Sequence, residues 1–103
     1  MLWKTSYQER GEPVQQTFNI PIQVFCVVST IGDLTPVRFK YETDEHQIIT
    51  ILISEVISHK ETRFAGTREI IYTCSANIDG TVQLFNLKYN VNLHRWIFAR
   101  FLT

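Results

Sequence analysis

Two short clusters hold the residues best suited to chemistry. Lys40-Tyr41 is followed by His46, and Lys88-Tyr89 by His94, the same Lys-Tyr-x4-His spacing twice. Imidazole carries protons near neutral pH and binds transition metals, so His46 and His94 form a candidate polar site. His59 is the third histidine, and Cys26 and Cys74 could add sulfur. The structural reading of the same residues is simpler. Each tyrosine sits at a core rim, Lys and His point outward, and a pattern that suits one hairpin suits its copy. Free cysteines in an interior behave as small hydrophobes.

Other catalytic signatures are absent. The chain has no C-x-x-C, H-E-x-x-H, G-x-x-x-x-G-K, G-x-G-x-x-G or G-x-S-x-G. Glu42, Asp44 and Glu45 form an acidic run, but it lacks the glycine and the spaced ligands of a calcium loop. No catalytic residue, metal or cofactor is therefore assigned, and the expectation is a non-enzymatic protein.

The two clusters belong to a longer self-similarity. Residues 20–53 laid over residues 68–101 without a gap give seven identities in 34 positions: Ile22/Ile70, Cys26/Cys74, Gly32/Gly80, Lys40/Lys88, Tyr41/Tyr89, His46/His94 and Ile49/Ile97. A fixed period sets architecture before anything else does. The division it suggests is an N-terminal arm (1–16), a first unit (17–58), a linker (59–67) and a second unit (68–103), all in one domain of 103 residues.

Strand signals dominate. Ile, Val, Thr, Phe and Tyr are abundant, and no window keeps a 3.6 period. Six runs read as strands, at 17–30, 33–42, 46–58, 68–78, 81–90 and 94–102, with a short seventh at 2–7. Pro21 places a bulge or an edge in the first run. Asp79-Gly80 marks a two-residue hairpin, because a type I′ turn needs positive φ at both central residues. That turn pairs Ile78 with Thr81, Cys74 with Phe85 and Tyr72 with Leu87. Ile31-Gly32 at the matching place pairs Cys26 with Val37 and Val24 with Phe39. Three-residue loops at 43–45 and 91–93 would then pair Phe39 with Ile49 and Leu87 with Ile97, and set Lys88 opposite Trp96 as a cation–π pair. Cys26 and Cys74 should fall at equivalent buried positions.

The predicted fold is thus all-β: a six- to seven-stranded antiparallel barrel or tight sandwich. It would be built from two duplicated three-stranded meanders with approximate internal two-fold symmetry. One face of each meander forms the core. The other carries Phe25, Val27, Ile48, Leu52, Val56, Trp96, Phe98 and Leu102 beside Arg38, Lys40, Lys88 and Arg100, too apolar for a bare surface. Either the N-terminal arm, with Trp3 and Tyr7, folds over part of this face, or Ile48, Leu52, Trp96, Phe98, Lys40, Lys88 and Arg100 are the interface of a homo-oligomer or protein partner.

Charge bounds the alternatives. The ten cations balance the ten anions, whereas nucleic-acid binders are broadly basic. The balance is uneven along the chain, −3 over residues 1–59 and +3 over residues 60–103. A single-stranded nucleic-acid barrel, with Trp96 and Phe98 beside basic residues, is the second reading. A small-ligand or metal barrel using the histidines is the third. No apolar run is long enough to span a membrane, residues 1–8 lack a signal core, and two cysteines make no disulfide framework. A cytoplasmic setting is expected.

Overall fold

A computed structural model describes residues 18–102; the expected strand at 2–7 lies outside them. Seven strands form one antiparallel sheet: β1 (Ile20–Val28), β2 (Leu34–Glu42), β3 (Ile48–Leu52), β4 (Glu55–Phe64), β5 (Thr67–Ile78), β6 (Thr81–Asn90) and β7 (Arg95–Phe101). There is no helix among the described residues, so none long and apolar enough to cross a membrane.

Lateral order is β3-β2-β1-β7-β6-β5-β4. The two end strands, β3 and β4, are consecutive in the chain, with Ile53 and Ser54 alone between them. A flat sheet cannot satisfy that connection, so the sheet curls into a half-barrel. The Ser54 N–H donates to the Ser75 carbonyl at 2.8 Å, where the curl brings the end of β3 beside β5.

The Asp79-Gly80 turn is as predicted, with φ of 54° and 82°. Ile78 pairs with Thr81, Cys74 with Phe85 and Tyr72 with Leu87. Their inner face, with Phe39, Tyr41, Ile51, Phe98 and Phe101, is the core. Phe39, Phe85 and Phe98 are fully buried, with ring centroids 5.5–5.8 Å apart. Such rings contribute burial and oriented ring contacts together.

Several registers differ from expectation. The first hairpin closes with a three-residue loop, the Ser29 N–H bonding to the Asp33 carbonyl and Gly32 at φ 92°. A bulge opposite Phe25/Cys26 absorbs the change. Val24 still faces Phe39, but Cys26 faces Pro36 rather than Val37. Val37 is therefore exposed and Pro36 buried in its place, while Cys26 and Val28 are exposed where β1 has left β7. The two free cysteines are not equivalent: Cys74 is buried and Cys26 exposed. Phe39 pairs with Ile51, two residues on from the expected Ile49, so face is kept and register is not.

The β6–β7 hairpin carries the largest correction. Asn90 pairs with Arg95, leaving the four residues 91–94 in the loop, one more than predicted. The Asn90 carboxamide oxygen accepts from the Leu93 N–H at 2.9 Å, and the Asn90 carbonyl accepts from the His94 N–H at 2.8 Å. One added residue turns a whole strand over. Trp96 and Phe98 therefore face inward and Ile97 faces out. Lys88 pairs with Ile97 instead of Trp96. A second bulge at Asn86/Leu87 leaves Ala99 without a partner in β6 and puts both Phe98 and Phe101 in the core.

The expected linker is also a strand. Residues 59–64 complete β4, and a tight turn at Ala65-Gly66 (φ 51° and 82°) returns the chain to β5. The two meanders share strand order and direction, but their loops and registers differ.

Candidate interaction surface

The expected interface residues divide between two environments. Ile48 and Leu52 project from the outer face of β3 and are 61% and 66% exposed. Across the ladder Leu52 lies beside Arg38, which lies beside Phe25. Val27 continues that face on β1 and is 58% exposed. The Arg38 guanidinium sits 4.2 Å from the Phe25 ring centroid and the Lys40 ammonium 5.4 Å from it. Each such contact contributes roughly 0.5–1 kcal/mol at an exposed site. Phe25 and Val27 on β1 and Ile48 and Leu52 on β3 thus flank Arg38 and Lys40, which lie between them on β2, with Glu42 beside Ile48.

Trp96 and Phe98 belong to the interior instead. Phe98 is fully buried. Trp96 is half-buried, its ring centroid 4.8 Å from that of Tyr89 and 5.3 Å from that of Tyr72. The outer face of β6 and β7 keeps Lys88 and Arg100, each half-buried, with Ile97. Val56, expected outside, packs against the core.

The two histidines of the repeat have local roles. Both have positive φ, His46 at 64° and His94 at 56°. Each closes a hairpin in the left-handed conformation that glycine usually supplies, one that histidine visits more often than most residues. The His46 Nδ1 lies 2.7 Å from Glu42 Oε2, and His94 Nδ1 lies 2.9 Å from the Tyr89 hydroxyl. Each side chain is thus bonded within its own hairpin. No group of three or more His, Cys, Asp or Glu side chains suited to a metal occurs among the described residues.

A groove that sequence reading missed opens where β1 leaves β7. These strands pair only from Ile20↔Phe98 to Ile22↔Trp96. Beyond that point Val24, Cys26 and Leu34 face Tyr89, His94, Arg95 and Trp96 across a cavity of about 640 Å³. Tyr72, in contact with Trp96, has its hydroxyl pushed up to about 12, chiefly by burial and then by the neighbouring Cys26, Asp33, Tyr89 and Cys74. Burial likewise pushes the Cys74 thiol up to about 12, so it stays protonated and inert at neutral pH.

Comparison with known proteins gives no match to a family model, to a curated protein or to a solved structure.

Proposed function

We propose that the chain is a small non-enzymatic β-barrel module that works by association, first of all with itself. The observation that carries this reading is the outer face of β1–β3, where Phe25 and Val27 on one side and Ile48 and Leu52 on the other are exposed around Arg38 and Lys40. Burying such side chains contributes about 1.5–3 kcal/mol each before association costs. Four of them are enough to hold two copies. Trp96 and Phe98 have no part in this interface, which lies wholly on the first meander. The free thiols of Cys26 and Cys74 suit a reducing, cytoplasmic setting.

The test is the sedimentation mass of wild type and Leu52→Glu at tens of micromolar. Wild type should sediment above the monomer mass. Leu52→Glu should associate more weakly while keeping its melting temperature, because the side chain is outside the core. A monomeric wild type sinks the reading.

One observation favours nucleic acid as a second reading. Lys60, Lys88, Arg95 and Arg100 share the outer face of β4–β7, and none has an acidic partner among the described residues. Such a face suits a phosphate backbone. With Trp96 inside, it lacks the stacking aromatics that a single-strand groove uses. Binding of a labelled oligonucleotide that weakens steeply with salt and is lost in Lys88→Glu would favour it.

A further inference from the structure

The wall of the half-barrel has a gap along β1, and the pairing of β1 with β2 fixes which backbone groups face it. Cys26 lies opposite Pro36 of β2, which has no N–H to donate. The Ser29 N–H donates to the Asp33 carbonyl, on the β2 side. The extra residue of the bulge lies in β2, so alternation along β1 is unbroken. Even-numbered residues therefore address β7 and odd-numbered ones address β2. The β7 ladder stops at Ile22↔Trp96. The N–H and C=O groups of Val24, Cys26 and Val28 thus face the gap with no backbone partner among the described residues.

Exposed edges are normally guarded by charge, proline or a bulge in the edge strand. Residues 24–28 read Val-Phe-Cys-Val-Val and carry none of these. The other end strands are handled differently. β4 carries Glu55, Lys60, Glu61 and Arg63, and β3 turns directly into β4. The unguarded edge is also self-complementary. An antiparallel pairing centred on Cys26 sets Val24 opposite Val28 of a second copy and Phe25 opposite Val27. No like charges meet, and the apolar outer face continues across the seam.

We propose that residues 24–28 of β1 pair antiparallel with the same residues of a second copy, joining two sheets edge to edge across a two-fold axis. Cys26 then lies opposite Cys26, in a pair that exchanges both backbone hydrogen bonds. This contact is additional to the face contact proposed above. It shares with that reading only the premise of self-association, and it uses different residues.

Sedimentation separates the two contacts. Leu52→Glu removes the face contact, and that variant should still sediment as a dimer. Adding Cys26→Pro should weaken the remaining association by roughly tenfold or more. Proline at 26 removes an N–H that faces the gap, so the β1–β2 ladder and the fold survive. If Cys26→Pro unfolds the chain, Val28→Lys takes its place, setting a charge on the edge. A short bis-maleimide should convert the Leu52→Glu dimer to a covalent dimer, and Cys26→Ser should prevent it. Monomeric Leu52→Glu with associated wild type overturns the edge contact and leaves the face contact standing. Unchanged mass in Leu52→Glu with dissociation by Cys26→Pro alone supports the edge and overturns the face. A Leu52→Glu dimer that yields no covalent product, or a monomeric wild type, overturns the edge contact.

Discussion

The Tyr72 hydroxyl donates to the Leu34 carbonyl oxygen over 2.9 Å, joining β5 to the start of β2 across the inside of the curl. The two residues are 38 apart in sequence. Neither strand neighbours the other in the sheet, so this bond ties walls of the half-barrel that no ladder connects. It also gives a buried phenol a partner, which burial requires.

Tyr72→Phe should therefore lower stability by about 0.5–1.5 kcal/mol, the usual net worth of one hydrogen bond, with the core shape retained. Urea unfolding measures it. A midpoint equal to wild type would show that the bond ties nothing.

Stability should fall at alkaline pH. Burial raises the Cys74 thiol from 9.0 to about 12, and raises Tyr72 and Tyr41 from 10.0 to about 12. Between about pH 9 and 12 the unfolded chain loses protons that the folded chain retains. The folded state then binds more protons, and the unfolding free energy declines as pH rises. Below pH 9 these groups are protonated in both states and their contribution is constant. Melting temperatures from pH 7 to 11 test this, and Cys74→Ala should flatten the onset near pH 9.

Trp96→Glu should destabilise the fold rather than produce a folded monomer. The ring packs on Tyr89 and Tyr72, and truncating a large aromatic in such a site costs about 3 kcal/mol even before a charge is introduced. Leu52→Glu, 66% exposed at the wild-type residue, should leave the melting temperature within a degree or two of wild type, given the small effects of surface changes. Circular dichroism melts of the pair decide whether the two residues belong to different environments.

His46→Gly should be neutral or stabilising by up to about 1 kcal/mol, because glycine occupies positive φ without the left-handed penalty. The exposed contact to Glu42 is too weak to reverse that sign. A clear loss of stability would mean that the imidazole has a role beyond its turn.

Gly80→Val should cost about 1–2 kcal/mol. Nothing lies within 4 Å of an added Cβ, so the cost is left-handed backbone strain alone at φ 82°. An unchanged melting temperature would contradict the type I′ turn.

The legible parts of the fold were those fixed by local chemistry. Asp-Gly specifies its own turn, and the register of β5 on β6 follows from it to the last pair. The alternation of Ile70, Tyr72, Cys74 and Ala76 against Phe85 and Leu87 then names one wall of the core. Residues such as Ile48 and Leu52 kept their predicted outward face because the longer loop before them preserved parity. β4 was illegible because its polar run, from Ser58 to Arg63, is exposed along an edge strand and shows no alternation.

The sequence by itself determined an all-β chain, antiparallel hairpins and one wall of the core, since these rest on period-two patterning and turn residues. Only the tertiary structure decided which side of β7 faces inward. That choice hangs on one loop residue, with Asn90 accepting from Leu93 and His94 held at positive φ. Three-residue and four-residue hairpin loops are both common, and burial of Trp96 and Phe98 against Tyr72 and Phe85 selects between them. The gap beside β1 was likewise beyond the sequence, because the point where two distant strands part is set by how the whole sheet curls.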